Sequence, residues 1–242
     1  MPKPDYIELP TGEEISILYE DRAVLAIDKP RGWMLAPVSW QRTARNLQAA
    51  LMSAIAAKDF WARSRNLKYL RFVHRLDADT SGVLLLGKST GAVRTFGALF
   101  ESRRMEKVYL AVVRRRPQTS AWTCRLRLAP EPNGAGRMRV DARHGKESET
   151  HFRVVQSKED MTLVEASPLT GRTHQIRVHL AESGCPVIGD TLYGWQPPGE
   201  LRGLGLRAMS LSYVDPFVGR RVEIHAPAEA FLREYGFDTP SL

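Results

Sequence analysis

The sequence predicts an α+β fold built on a mostly antiparallel mixed β-sheet flanked by helices. Three observations carry that expectation. Short apolar runs with period-two alternation recur throughout the 242 residues. Helical spacing is confined to a few spans, and the two kinds of segment do not alternate strictly as βαβ units would. No fixed-period repeat, low-complexity tract or long Gly/Ser/Pro linker divides the chain, so residues 1–242 are expected to form one domain.

The elements follow in order. ISILYE and AVLAIDK read as two strands around the turn residues EDR, and KPRGW ends the second with a proline and a glycine. From Thr43 to about Ala62 the spacing of Leu47, Leu51 and Ile55 predicts a helix, with Thr43 placed to cap its first amides. GVLLLGKS is a buried strand, and GAVRTFGALFESRR a helix in which Val93, Phe96 and Phe100 recur at three- and four-residue spacing. In the strand KVYLAVVRR, alternation puts Tyr109 on the face opposite Val108, Leu110 and Val112. WTCRLRLAP, ETHFRVVQS, MTLVEAS, RAMSLSYV and RVEIHAP add further strands, and the Gly-rich, basic EPNGAGRMRVDARHGK reads as an exposed loop or hairpin. THQIRVHLAES makes a short helix stopped by Gly184, which can take the left-handed conformation of a C-terminal cap.

Composition narrows the function classes. An apolar content of 43% with 26% charged residues is that of an ordinary globular protein with a real core. Runs such as VLLL and AVLAI are far shorter than the ~20 residues of a bilayer span, and MPKPDYIELPTGEEI lacks the layout of a signal peptide. A cytoplasmic protein with no membrane partner is expected. Its two cysteines, Cys124 and Cys185, form no CxxC pattern, so neither a disulfide framework nor a cysteine zinc site is indicated. Lys and Arg number 35 against 27 Asp and Glu, a net charge of +8. Arginine dominates in SRRMEK, VVRRRP and CRLRL, and its planar fork suits phosphate, so a polyanion partner follows as a hypothesis.

Two stretches could carry chemistry. HRLDADTSG, His74 to Gly82, sets two carboxylates and two cations ahead of VLLL. On local grounds its residues read first as a well-capped turn before a strand, with a site for a reactive carboxylate as the second reading. DADT also matches the DxDxT of aspartate-nucleophile phosphatases, but the lead-in VHRL is not a buried strand and no DD pair for magnesium occurs in the chain. PLTGRTHQIRVHL, Pro168 to Leu180, gathers Arg172, His174 and Arg177 around a helix start, where free amides favour an anion. A solvated basic helix is the alternative. His174 and His179 are five apart and do not share a helical face as a metal pair would, so no metal is expected. The GLGLRA match to a dinucleotide fingerprint at Gly203 to Ala208 runs into a strand instead of opening a helix and is set aside.

Together these stretches resemble the RluA-type pseudouridine synthases, which isomerise uridine to pseudouridine in RNA. The resemblance is carried by YEDRAVLAIDKPRGWMLAP, HRLDADTSGVLLLGKS, KVYLAVV, PLTGRTHQIRVHLAESGCPVIGDTLYG and LRAMSLSYVDPFVGRRVEIHAP, in the family's order and over nearly the whole chain. HRLDxxTSG with GRTHQIRVH is a specific pair, and HRLD in place of GRLD favours the RluA branch. Relatives often have His at the positions of Ala36 and Arg207, and HP where Asp215-Pro216 stands; these departures lie outside the motifs and bear on substrate choice. The small RNA-binding module that many relatives carry ahead of the catalytic domain is expected to be absent, since there is no room for it before Tyr19.

The resemblance implies a pseudouridine-synthase-like fold with a central RNA-binding cleft, no cofactor, and an RNA partner, ribosomal RNA or transfer RNA or both. DNA is not expected as a partner, and the chain is expected to act as a monomer. The reaction breaks a carbon–nitrogen glycosidic bond, turns the freed uracil, and joins the sugar to a ring carbon without redox change. By resemblance Asp77 is the reactive carboxylate, as nucleophile or as base, and Arg177 the guanidinium that keeps it ionised. Tyr109 would stack on the uracil and Ile176 form part of an apolar floor. Arg75 would occupy the space left by the flipped nucleotide or grip the adjoining backbone, with Arg172 and His174 on the RNA. Asp79, Thr80 and Ser81 are read as residues that shape the loop.

Overall fold

Alternation near the N-terminus becomes an antiparallel ribbon. In the computed structural model, which describes residues 2–9, 11–35, 45–132, 134, 136–194 and 202–238, Tyr6–Glu8 (β1) pairs with Glu14–Glu20 (β2), and β2 with Val24–Lys29 (β3). Asp21 sets the β2–β3 turn, its Oδ1 accepting the amides of Ala23 and Val24, each at 2.7 Å. The predicted helix is shorter and in two pieces, Leu47–Ala57 (α1) and Phe60–Arg63 (α2). Leu47, Leu51 and Ile55 are buried as expected. The cap is Asn46, whose side chain accepts from Ala49 N; the predicted cap Thr43, like Ala36, lies outside the described residues. The break falls at Lys58, which is left-handed and closes the end of α1, while the Asp59 carbonyl starts α2.

Arg71–Phe72 (β4) and β3 both pair antiparallel with Ser81–Gly87 (β5), which is buried along its whole length. Thr90–Glu101 (α3) starts from a Ser89 cap and buries Ala92, Phe96 and Leu99. It packs close to β5 because residue 87 is glycine: a Cβ there would lie 2.7 Å from Val93 Cγ2. Glu106–Arg114 (β6), Ala121–Pro130 (β7), Met138–Val140 (β8), Lys146–Ser157 (β9) and Met161–Pro168 (β10) follow, with β6 on β10, β10 on β9, β9 on β7 and β7 on β8, all antiparallel. The Gly-rich basic stretch is thus a hairpin that includes β8. Gln175–Glu182 (α4) ends at Ser183, and Gly184 is left-handed as the sequence predicts. Leu206–Val214 (β11) and Arg221–His225 (β12) form an antiparallel hairpin before Glu229–Glu234 (α5).

The fold is α+β, with strand pairing carrying most of the order. The chain divides into two compact units, Met1–Met105 with Ser210–Ala226, and Glu106–Met209 with Pro227–Leu242. The first has a core in which Phe96 meets Tyr213 edge-on at 5.4 Å, among Val24, Val83, Leu85 and Ile224. The second packs Phe231, Leu232 and Tyr235 of the C-terminal segment on Leu110, Val112 and Leu163. Among the described residues no helix is long and apolar enough to cross a membrane.

A polar chain ties α4 to β9 inside the second unit. His179 has no exposure; its Nε2 lies 2.9 Å from Ser148 Oγ and its Nδ1 3.0 Å from Thr150 Oγ1. Ser148 spends its proton on the Leu126 carbonyl, so Nε2–H donates to Ser148 and Thr150 donates to Nδ1. Burial pushes the imidazole down to about 4 from 6.5. The folded state therefore resists a proton that the unfolded chain accepts, and stability that is full above pH 6.5 is lost as pH falls toward 4. Urea unfolding at pH 7 and 4.5 is expected to show a loss on the order of 3 kcal/mol, reduced in His179→Gln.

Candidate active site

In the first unit, HRLDADTSG forms the turn that leads into β5. His74 enters it with its ring stacked on Phe100 at 4.6 Å and its Nε2 accepting the Leu85 amide at 3.1 Å. Leu76 is buried below the turn, as are Thr80 and Ser81, and the Thr80 amide donates to the Asp77 carbonyl at 3.2 Å. Gly82, at φ 110°, holds a conformation open only to glycine. Asp77 is half-buried, whereas Asp79 and Arg75 are exposed.

The turn hangs from the end of β3. Lys29 has no exposure, and its Nζ donates to the carbonyls of Ala78 at 2.6 Å, Thr80 at 2.9 Å and Pro30 at 3.0 Å. The Gly32 amide also donates to Ala78 O at 2.9 Å. The carbonyls on either side of Asp79 are thus pinned to one buried ammonium. Burial pushes Lys29 down to about 8, against the pull of Asp79 and Asp77. Lys29→Met leaves the buried Thr80 carbonyl without this donor and is expected to cost about 3 kcal/mol in urea unfolding, with Lys29→Arg failing to restore it because the larger guanidinium overfills the site.

In the second unit, Tyr109 lies on β6 and is almost wholly buried. Two residues before it, Lys107 donates to the Thr170 carbonyl at 3.0 Å, and burial pushes it down to about 8. The Pro168 to Arg172 loop is shaped from within by Gln175. Its Oε1 accepts the Thr170 hydroxyl at 2.7 Å and the Arg172 amide at 2.9 Å, while its Nε2 donates to Glu149 O and Thr150 Oγ1. Arg172 reaches Glu147 O through Nε at 3.0 Å. His174 begins α4 in the left-handed region, at φ 53°. Ile176 is buried.

Arg177 is the centre of the second cluster. Its Nε donates to Asp190 Oδ2 at 2.7 Å and its Nη2 to Asp190 Oδ1 at 2.8 Å, a bidentate pair whose carboxylate has no exposure. The same Oδ1 accepts the amides of Leu192 at 3.0 Å and Tyr193 at 3.1 Å. The Tyr193 ring lies under the guanidinium at 5.2 Å. Its hydroxyl accepts the Met138 amide at 2.7 Å and shares a hydrogen bond of 2.8 Å with His174 Nδ1. The segment arrives at this angle because Gly189 is left-handed and passes so close to Gly203 that a Cβ would sit 2.0 Å from its carbonyl oxygen.

The structure thus brings Arg177 and His174 together around Asp190 and Tyr193, and gives Arg75 and Asp77 a turn anchored by Lys29. Sequence reasoning did not single out Lys29, Lys107, Asp190, Tyr193 or Gln175. The available signal was a lysine ending the apolar run VLAIDK and an acid and an aromatic inside GDTLYG. Among the described residues no group of His, Cys, Asp and Glu could hold a metal ion.

The chain belongs to the RNA pseudouridylate synthase family of RNA-modifying isomerases, whose pattern matches residues 23–182 and so spans both the Asp77 turn and the Arg177 helix. It is of the RluA type. Among curated proteins it is similar to ribosomal large subunit pseudouridine synthase C of Vibrio cholerae serotype O1, with 36% identity over 233 residues, 91% of this chain and 68% of the relative. The protein of the same name from Yersinia pestis is 36% identical over 224 residues, 90% of this chain and 67% of the relative. Among solved structures, human RNA pseudouridylate synthase domain containing 1 superposes with a TM-score of 0.70 at 28% identity, over 89% of this chain and 84% of that one. Human RNA pseudouridylate synthase domain containing 4 shares the fold, with a TM-score of 0.73 at 24% identity over 93% and 94%.

Proposed function

We propose that this isomerase converts uridine to pseudouridine in ribosomal RNA of the large subunit, acting in the cytoplasm as a monomer. Its relatives' names support the substrate, and the match of the family pattern to residues on both sides of Met105 supports reading both units as one catalytic domain. In this reading the target nucleotide is flipped from its stack, at a cost of roughly a few kcal/mol. The bond from the sugar to N1 then breaks, the uracil turns, the sugar joins C5, and the C5 proton leaves while N1 gains one. Asp77 is the carboxylate that attacks the sugar or removes a proton from it. Arg177 and Tyr109 serve the same reaction, with Arg75, Arg172, His174 and Ile176 toward the RNA.

The observation that carries this reading is the anchored Asp77 turn: a half-buried acid on a loop whose flanking carbonyls are fixed by Lys29 is held ready for reaction without reorganisation. The test is release of tritium from RNA labelled at uracil C5. Wild-type protein is expected to release label from large-subunit ribosomal RNA without added metal or cofactor. Release from transfer RNA alone would reassign the substrate, and no release from either would overturn the activity.

A further inference from the structure

Outside the two stretches HRLDADTSG and PLTGRTHQIRVHL, the first unit contains a cavity of about 780 Å³ between the β2–β3 turn, the segment after α2 and the end of β5. Five cations line it, Lys3, Arg22, Arg65, Lys68 and Lys88, against two acids, Glu20 and Asp21. Both acids are committed elsewhere. Glu20 Oε1 takes Lys88 Nζ at 2.7 Å and its Oε2 takes Arg65 Nε at 2.8 Å. Burial works to raise the Glu20 pKa, and Lys88 and Arg65 overcome it, holding the carboxyl below its usual range. Asp21 is fixed by the amides of Ala23 and Val24 and by the Tyr19 hydroxyl at 3.0 Å.

The cations divide into two kinds. Arg65 is structural, since its remaining nitrogens reach Trp61 O at 3.1 Å and Pro4 O at 2.6 Å. Lys88 is held by Glu20 and Asp21 O. Arg22 and Lys68 are exposed and have no ion-pair partner among the described residues, and Lys3 stands 3.7 Å from Glu20. The result is a walled groove whose fixed interior balances Arg65 and Lys88 against Glu20 and Asp21, with its excess positive charge on Arg22, Lys68 and Lys3 at the surface. Tyr69, half-buried in the wall, offers a ring. The volume is that of a site for a nucleotide-sized ligand and far exceeds the needs of a single ion.

We propose that this groove is a second RNA-binding surface, which takes the phosphodiester backbone of the substrate away from the modified nucleotide, with a base against Tyr69. The proposal rests on the reading of the protein as an RNA isomerase. Arg22 and Lys68 are its ligands; Arg65 and Lys88, tied to Glu20, hold the groove's shape.

The experiment compares wild type with the double variant R22E/K68E, and with the milder R22Q/K68Q, by filter binding to a long ribosomal RNA fragment and to a minimal hairpin that carries only the target loop. On the long fragment the double reversal is expected to raise Kd about tenfold and to lower the slope of log Kd against log salt by about 2, one unit for each phosphate that is no longer neutralised. The neutral pair moves the same way by less. Binding to the minimal hairpin and kcat of tritium release stay at wild-type values. Unchanged Kd and slope on the long fragment overturn the proposal. So does saturation of the groove by uridine monophosphate at micromolar concentration, read by protection of Lys68 from acylation, because a free nucleotide is then the ligand. Salt-dependent RNA binding that the double variant loses, in a wild-type protein that never releases tritium, supports the groove and removes the isomerase reading instead.

Discussion

Asp77→Asn is expected to lower tritium release by about four orders of magnitude, the upper end of what a positioned proton-transfer group contributes, while leaving the fold in place. The substitution keeps shape and volume and removes only the charge and basicity that attack or proton abstraction requires. Main-chain bonds hold the turn. The Thr80 amide donates to the carbonyl of residue 77, and Lys29 and Gly32 bind the carbonyls that follow. The carboxylate acts on this anchor only through its charge, which favours the Lys29 ammonium. Urea midpoints of wild type and variant are therefore expected to lie close together, and RNA is expected to bind both. Asp79→Asn is the control: this side chain is exposed, and its charge acts on Lys29 only at a distance. Release by Asp79→Asn at near wild-type rate beside loss in Asp77→Asn would assign the chemistry to one of two carboxylates that the sequence places two residues apart. Equal release by wild type and Asp77→Asn would remove Asp77 from the reaction.

Much of this fold can be read from spacing. Strands β2, β3, β5 and β9 to β12 fall where alternation or a short apolar run puts them, because each pairs with its neighbour over most of its length, with single register shifts in β2–β3 and β9–β10. Helix α3 obeys its period because only one of its faces is covered. On β6 both of the faces that separate Tyr109 from Leu110 are covered, so Tyr109, Leu110, Ala111, Val112 and Val113 are all buried. The failures are equally physical. The start of α1 was set by Asn46, a capping residue as good as Thr43 and three positions later, and local propensity does not choose between them. Lys29 and Asp190 escaped for a different reason. A lysine becomes a structural donor only when chain 49 residues away folds over it, and an aspartate becomes an arginine's partner only when the loop after α4 returns to it. In a single sequence such pairings leave no mark beyond a charged residue next to apolar ones.

Asp190→Ala is expected to be the most destabilising single change in the second unit, by about 3–5 kcal/mol, because it removes the buried carboxylate that takes two hydrogen bonds from the Arg177 guanidinium. The carboxylate has no exposure, engages Nε and Nη2 of Arg177 at 2.7 and 2.8 Å, and also receives the amides of Leu192 and Tyr193. Asp190→Asn separates these duties. Its oxygen still accepts the two amides, but its NH₂ now faces guanidinium donors, so stability recovers in part while the aim of Arg177 does not. Urea unfolding should therefore rank wild type, Asn and Ala in that order. Tritium release should be low in both variants, with the loss in kcat and little change in KM for RNA. A purely structural Asp190 predicts the opposite for Asn, with activity following the recovered stability. Tyr193→Phe gives an independent measure of the same assembly: it removes the hydroxyl that takes the Met138 amide and bonds His174 Nδ1, yet keeps the ring under Arg177. It is expected to cost about 1–2 kcal/mol and to weaken RNA binding through His174 more than it lowers kcat. Arg177 and His174 would then be distinguished by their kinetics, since one guanidinium is fixed by a carboxylate and the neighbouring imidazole by a phenol.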